Sequence, residues 1–136
     1  MKKVISILSL VALLVCLMAP CVCATGSVGV MPRWTGVVDV RAFLDFYGTE
    51  GEATLSSTKG SSATKLEGVV TIYKWVNGQW VYVDSMSKSV TRGTLFIAFV
   101  FDGISGVQYK MEVEITAYSG TTVIEEITDV KYATCP

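Results

Sequence analysis

The sequence predicts an all-β protein, an antiparallel β-sandwich of about seven strands. Stretches rich in Val, Ile, Thr and aromatic residues recur along the chain, and turn signals containing Gly, Asn or Ser separate them at short intervals. Apolar and polar residues alternate along several of these stretches, as they do in a half-buried strand. After Ala24, no segment longer than about ten residues shows the spacing of an amphipathic helix.

The first 24 residues have the pattern of a signal peptide. Met1 is followed by two lysines, and the next segment, Val4–Met18, is uncharged and apolar. Val22-Cys23-Ala24 then places small residues at positions −3 and −1 of a cleavage site. We expect cleavage after Ala24, because a cut after Ala19 would leave a proline at +1. The apolar run is shorter than the ~20 residues that span a bilayer, so a cleaved signal is favoured over a membrane anchor. Proline and valine before the nearby cysteines disfavour a lipoprotein.

Cleavage would leave one domain with a mildly acidic surface. Removing 24 of 136 residues leaves 112, which we divide into a flexible lead-in over residues 25–32 and a single sandwich domain over residues 33–136. Lys2 and Lys3 leave the 11 basic residues while all 12 acidic residues stay, so the net charge becomes −3. Nucleic acids and anionic membranes need clustered Lys and Arg, and we expect neither as a partner.

Only one cysteine lies outside the predicted signal peptide. Cys16, Cys21 and Cys23 leave with it, and Cys135 stays one residue from the chain end. We expect a frayed, unpaired thiol. Two alternatives stay open: an intermolecular disulfide, or, with earlier cleavage, a bond to Cys21 or Cys23.

The first predicted strand is Gly36–Tyr47, and a short second strand, Glu52–Ser57, lies within the polar stretch Gly48–Thr64. In the first strand, polar residues occupy alternate positions, and the other positions are apolar. The apolar face is predicted to consist of Val38, Val40, Ala42, Leu44 and Phe46.

The stretch Leu66–Met86 predicts a β-hairpin whose second arm runs to about Ser89. Asn77-Gly78 lies between two runs of β-branched and aromatic residues, and both residue types tolerate the positive φ angles of a type I′ turn. A two-residue turn predicts the pairs Val76–Gln79, Trp75–Trp80, Tyr73–Tyr82, Ile72–Val83 and Thr71–Asp84.

Alternation places Tyr73, Trp75, Trp80 and Tyr82 on one face of this hairpin, opposite a face with Val70, Ile72, Val81 and Val83. The four aromatic residues are the candidate site, a flat platform for sugar rings or Pro-rich peptides. The same face is also suited to the inner wall of the sandwich, where a buried Trp on the third strand is common. We favour the inner wall, because Lys74 on the opposite face suits a solvated surface. An intermediate arrangement would leave Trp80 partly exposed at the rim.

The next strand, Thr94–Phe101, is apolar on both faces. Either both faces are covered, or the chain exposes an apolar patch that forms a homo-oligomer. One face carries Leu95, Ile97, Phe99 and Phe101, and the other carries Phe96, Ala98 and Val100.

Val107–Tyr118 shows the clearest period-two alternation, and Ser119-Gly120 leads into a closing strand, Thr122–Lys131. Seven strands with such turns predict a sandwich of the immunoglobulin or fibronectin type III kind. The segment from Tyr109 to Gly120 resembles the sixth strand of fibronectin type III domains. This resemblance implies that Tyr109 is the corner tyrosine, with its hydroxyl bonded back to the preceding loop.

The chain as a whole resembles a family of small secreted proteins of Gram-positive bacteria that carry a domain of unknown function. The matching pieces are the signal peptide, Pro32-Arg33-Trp34-Thr35, Asn77-Gly78-Gln79-Trp80 with Val83, Tyr109 with Val113, and Ala117-Tyr118-Ser119-Gly120. The resemblance implies a compact secreted sandwich and no assigned activity.

Residues suited to catalysis or metal binding are few. The sequence has no histidine, which excludes Ser-His-Asp and Cys-His arrangements and the usual zinc sites. Alternating charges such as Glu112 and Glu114, and the pair Glu125-Glu126, are typical of a solvated strand face rather than of a glycosidase. Asp102 and Asp129 lack the spacing of a calcium loop. We predict no catalytic residue, no metal and no cofactor.

The sequence therefore predicts a non-catalytic, secreted β-sandwich that serves as an extracellular or cell-surface interaction module. Its partner is an unknown protein or glycan. The alternative is a carbohydrate-binding module that acts through an exposed aromatic face.

Overall fold

A computed structural model describes residues 34–136; the predicted signal peptide, the lead-in and Arg33 lie outside this range. Within it the chain forms seven strands and no helix, so no helix there is long and apolar enough to cross a membrane. The strands are β1 (Val37–Tyr47), β2 (Glu50–Lys59), β3 (Lys65–Val76), β4 (Gln79–Val90), β5 (Thr94–Asp102), β6 (Gln108–Ser119) and β7 (Thr122–Thr134).

The strands form two antiparallel sheets that enclose one apolar core. The three-stranded sheet has the order β1-β2-β5, and the four-stranded sheet has the order β4-β3-β6-β7. The largest core side chains come from both sheets and include Leu55, Ile97, Leu66, Ile72, Tyr109, Met111 and Ile115. The predicted antiparallel β-sandwich is confirmed.

Most strand ends differ from the prediction by one residue at most, but the second and the closing strands are clearly longer than predicted. The second strand runs over Glu50–Lys59 instead of Glu52–Ser57, because it is central in its sheet and its Ser- and Thr-rich backbone bonds to a neighbour on each side. The closing strand continues past Lys131 to Thr134, since its backbone stays paired with β6 as far as Gln108.

The predicted apolar face of β1 is wrong at Val38. The register shifts between Val37 and Asp39, so Val37 is buried and Val38 is exposed. A β-bulge adds one residue to one strand, which reverses the direction of every side chain on one side of it. Beyond the bulge, Ala42 and Leu44 are buried as predicted.

The hairpin turn is confirmed, but two of its predicted pairs are wrong. Asn77 and Gly78 have φ angles of 50° and 82°, and the pairs from Val76–Gln79 to Tyr73–Tyr82 form. Ile72 then faces Asp84, and Thr71 faces Ser85. Val83 is therefore the additional residue of a bulge, a feature that alternation alone does not reveal.

The corner tyrosine is confirmed. Tyr109 is fully buried at the start of β6, and its hydroxyl accepts a hydrogen bond of 2.9 Å from the backbone N–H of Ile104. The alternation along β6 is also confirmed, since Met111, Val113 and Ile115 are buried.

Cys135 is not frayed, contrary to the prediction. It is fully buried, and its backbone N–H and C=O bond to the C=O of Val107 (3.0 Å) and the N–H of Gly106 (2.9 Å). Its Sγ atom lies 3.8 Å from the carbonyl oxygen of Gly48. The chain end is held because its backbone closes the loop before β6. Cys135 has no disulfide partner within residues 34–136, and the suggested partners Cys21 and Cys23 lie outside that range.

Candidate ligand-binding surface

The four aromatic residues of the hairpin lie on the outer face of the four-stranded sheet. Trp75 and Tyr82 are 43% and 58% exposed, and Tyr73 and Trp80 are partly buried. The opposite face of β3 is buried, and the favoured assignment of the aromatic residues to the inner wall is therefore wrong. Both faces of the hairpin carry apolar side chains. Because Val70 and Ile72 of β3 fill the core, the aromatic rings of the opposite face lie outside. Lys74 lies partly buried near the hairpin end of β3.

A fifth ring completes this surface, and the sequence reasoning missed it. Tyr132 on β7 is 59% exposed, and its ring centroid lies 5.8 Å from that of Trp80. Because the closing strand was predicted to end at Lys131, Tyr132 was not assigned a face. Tyr132 lies two residues after Val130, which is also exposed, so both side chains point away from the core. We call the five residues Tyr73, Trp75, Trp80, Tyr82 and Tyr132 the aromatic face.

The aromatic face is ridged, and the expectation of a flat platform is wrong. The centroids of Trp75 and Trp80 lie 5.0 Å apart with the rings inclined at 62°. Those of Tyr73 and Tyr82 lie 6.4 Å apart at 83°. Edge-to-face packing of this kind is the usual preference of neighbouring aromatic rings and stabilises a pair by about 0.5–1.5 kcal/mol. The surface therefore presents tilted rings packed against one another instead of a single plane.

Lys110 lies among these rings with its charge compensated. Its Nζ atom is 4.6 Å from the ring centroid of Tyr73, 5.1 Å from that of Trp80, and 2.5 Å from the carboxylate of Glu112. The Lys110 side chain is largely buried. Cation–π attraction and the ion pair hold it in place. Burial raises the pKa of Tyr73, and the negative charge of Glu112 raises that pKa further, so the phenol is a neutral donor at neutral pH.

A second polar cluster lies at the other end of the same outer face. Glu67 accepts hydrogen bonds from Lys65 Nζ (2.8 Å) and from the Tyr118 hydroxyl (2.9 Å), and Lys65 Nζ lies 4.0 Å from the Tyr118 ring centroid. The hydrogen bond from Lys65 and then that from Tyr118 lower the pKa of Glu67. An open groove of about 440 Å³ lies beside this cluster, lined by Glu67, Gly68, Val69, Ser87, Lys88 and Ser89.

Three of the acidic residues considered for catalysis or calcium binding, Glu112, Glu125 and Asp129, have partners within the fold. Glu112 pairs with Lys110. Glu125 accepts hydrogen bonds from the backbone N–H groups of Thr35 (3.3 Å) and Gly36 (2.9 Å), and so holds the chain that enters β1. Asp129 pairs with Lys131 at 2.9 Å. Over residues 34–136, no three Cys, His, Asp or Glu residues come together in a group that would hold a metal ion.

The fold and this surface together define a β-sandwich with an exposed aromatic face. No family model and no curated protein matches the chain. Among solved structures, it is similar to Spo0M, a sporulation control protein from Bacillus subtilis (14% identity, 73% of this chain, 49% of that chain, TM-score 0.46). It is also similar to a β-glucuronidase from Parabacteroides merdae (12%, 73% and 14%, 0.43) and to a protein from Archaeoglobus fulgidus (10%, 72% and 96%, 0.36). The chain thus spans about half of the first of these proteins and a small part of the second. These similarities carry no argument about function.

Proposed function

We propose that the protein is a secreted, non-catalytic interaction module that binds carbohydrate through the aromatic face. The exposure of Trp75, Tyr82 and Tyr132 on one side of the four-stranded sheet carries this proposal. Exposed rings of this size are costly to leave in water and usually mark a binding surface. The signal-like residues 1–24 and the resemblance to small secreted proteins of Gram-positive bacteria support an extracellular or cell-surface location.

Sugars suit the chemistry of this surface. The C–H faces of a pyranose ring pack against exposed aromatic rings, and its hydroxyl groups need fixed donors and acceptors nearby. The neutral Tyr73 hydroxyl is one such group beside the rings. Glu112 is another, because its partly exposed carboxylate has acceptor positions besides the one that Lys110 occupies. Exposed aromatic rings also bind Pro-rich peptides in their extended helical form, which makes peptide binding the alternative to be tested.

We also propose that the sandwich is of the immunoglobulin-like type. In variable-type immunoglobulin domains an added strand pairs with the third strand, in the sheet that also contains the last two strands of the domain. Here the fourth strand, β4, takes that place beside β3, β6 and β7. The buried hydroxyl bond of Tyr109 supports the same type.

The absence of catalysis is proposed from the residues that would have to perform it. The sequence contains no histidine. Glu112 and Glu125 are engaged by Lys110 and by backbone N–H groups, respectively. A glycosidase needs two carboxyl groups on either side of a cleft, and these two partnered carboxylates serve other contacts.

Titration with a panel of soluble glycans, followed by tryptophan fluorescence, tests the proposal. We expect a glycan to change the emission of the native protein, and Trp75→Ala to weaken binding at least about tenfold, the effect of losing ~1.4 kcal/mol of contact. Tyr47→Ala is the matched control, because Tyr47 is an exposed aromatic residue on the other sheet. Its affinity should equal that of the native protein.

Two results would overturn the carbohydrate proposal. One is the absence of binding to every glycan, and the other is an equal loss of affinity in Trp75→Ala and Tyr47→Ala. Binding of a Pro-rich peptide that Trp75→Ala abolishes would instead assign the aromatic face to peptides.

A further inference from the structure

The outer face of the three-stranded sheet also exposes large apolar side chains among polar ones, and it lies on the opposite side of the molecule from the aromatic face. Phe43 on β1 is 56% exposed, and Phe96 and Val100 on β5 are 50% and 57% exposed. We propose that this face binds a second copy of the chain in a two-fold dimer. The proposal does not depend on the ligand of the aromatic face.

Strand pairing arranges this face in rows that run across the sheet. The central row consists of Phe43, Thr54 and Ala98, which are paired from β1 through β2 to β5. The rows on either side are Arg41, Ser56 and Phe96, and Asp45, Glu52 and Val100. One flanking row thus begins with a positive charge and the other with a negative charge, at the same edge.

A two-fold axis along the central row makes this face complementary to itself. The axis brings each flanking row of one copy onto the other flanking row of the second copy, as an isologous interface requires. Arg41 then faces Asp45 of the second copy, and Phe96 faces Val100. Between them Glu52 faces Ser56, whose hydroxyl is a donor for the carboxylate. Phe43 faces its own counterpart at the centre.

The other in-plane axis, along β2, gives a poor match. It would set Asp45 against Val100 of the second copy and bury a carboxylate on an apolar side chain without a partner. The charges therefore select the first axis. Arg41 bonds Asp39 through Nε at 3.3 Å, which leaves its two terminal nitrogens for a second carboxylate.

The area of this face sets the strength of the dimer. Three strands about 4.8 Å apart, taken over three rows, cover on the order of 400 Å² per copy. A standard stable interface buries about 800 Å² per partner, so we expect a weak dimer that forms with rising concentration. In this dimer the two aromatic faces point away from each other, and one dimer presents two separate ligand surfaces.

Sedimentation equilibrium over a concentration series into the millimolar range tests the proposal. We expect the native protein to dimerise, and Arg41→Asp and Asp45→Arg each to lower the association constant at least about tenfold, because symmetry creates two like-charge contacts in each single variant. The double variant Arg41→Asp, Asp45→Arg should restore association to within about threefold, since opposite charges face each other again. Restoration by the double variant also shows that the single variants did not fail through misfolding.

Two control variants separate this face from the rest of the surface. Glu114→Arg, on the outer face of the four-stranded sheet, should associate like the native protein. Trp75→Ala should lose glycan binding and keep dimerisation, so failure of the ligand proposal and failure of the dimer proposal are distinguishable. A native protein that stays monomeric throughout the series, a double variant as weak as the single ones, or loss of the dimer in Trp75→Ala would each overturn the proposal.

Discussion

At the residue scale, the hydroxyl of Tyr109 ties the start of β6 to the loop that precedes it. Replacement by Phe removes the acceptor and leaves the N–H of Ile104 without its partner. We expect Tyr109→Phe to lower the free energy of unfolding by about 1–2 kcal/mol. Urea unfolding should show a lower midpoint with an unchanged slope.

Tyr47→Phe is the matched control for this change. The Tyr47 side chain is exposed, and its variant should unfold within about 0.5 kcal/mol of the native protein. Equal midpoints for Tyr109→Phe and the native protein would contradict the structural role given to the Tyr109 hydroxyl.

The position of a single residue in the fold was predictable from the sequence where the residue belongs to a known motif. Tyr109 was placed correctly because its segment resembles the sixth strand of fibronectin type III domains, and that resemblance implies a tyrosine bonded back to the preceding loop. Cys135 was placed wrongly because nearness to a terminus suggests fraying. Its burial depends on backbone bonds to Val107 and Gly106, which no local pattern in the sequence indicates.

At the element scale, the side chain of Glu125 connects β7 to the chain entering β1. Its carboxylate is charged and accepts two backbone hydrogen bonds, from Thr35 and Gly36, an arrangement stronger than a neutral pair. We expect Glu125→Ala to lower the free energy of unfolding by about 1–3 kcal/mol, because both donors lose their acceptor. Chemical denaturation measures the change.

The neighbouring residue supplies the comparison. Glu126 is exposed and has the same side chain, so Glu126→Ala controls for charge and for strand propensity. We expect it to change stability by no more than about 0.5 kcal/mol. If both variants lost the same stability, the contact of Glu125 with the first strand would not be the cause.

Strands were more predictable from the sequence than their registers. Alternation located strands such as β1 and β6, because a sheet with one wet face has a period of two. The apolar β5 and the short second strand were located by their composition and by the turn residues that bound them. The bulges at Val38 and Val83 were missed. Each additional residue is a valine in a strand that already contains several, so nothing in the composition marks it as unpaired. Each bulge reverses the faces beyond it, and the error at Val38 follows directly.

At the scale of the whole molecule, stability should decline at both ends of the pH range. Lys65 and Tyr118 lower the pKa of Glu67 below its ordinary value of 4.5. The unfolded chain then binds a proton at higher pH than the folded chain. The contribution of Glu67 is therefore present above its ordinary pKa and is lost as the pH falls through the lowered one.

At alkaline pH the pKa shifts have the opposite direction, and stability falls as the pH rises. Hydrogen bonding to Glu67 raises the pKa of Lys65 and of Tyr118, and burial raises that of Tyr73, from ordinary values of 10.5, 10.0 and 10.0. Their protonated forms favour the folded state, and this stability is lost as the pH rises through the raised values. Urea unfolding over a pH series should show a plateau between the two declines.

Glu67→Gln isolates the acidic decline. This variant should be less stable at neutral pH and should lose less stability on acidification than the native protein. Glu114→Gln replaces an exposed carboxylate on the same face and should keep the native profile. Parallel acid profiles for the native protein and Glu67→Gln would contradict the assignment.

The architecture of the molecule followed from the sequence, but the solvent-exposed side of the hairpin did not. Turn chemistry and alternation together specify a seven-stranded sandwich. Which face of β3 is buried depends on how the two sheets fit together, and both faces of that strand carry apolar side chains. Tyr132 joins the aromatic face from a strand about fifty residues away in sequence, a proximity that only the folded register creates.

The buried thiol of Cys135 is a built-in probe of local opening of the sandwich. A thiol reagent reacts with the thiolate only after the chain end has left the core, so in excess reagent the rate of alkylation measures how often that end detaches. No other cysteine lies outside the predicted signal peptide, so alkylation reports on Cys135 alone and the protein needs no introduced label. Release of the last strand, next to Tyr132 of the aromatic face, can thus be timed in the native protein with and without a bound ligand.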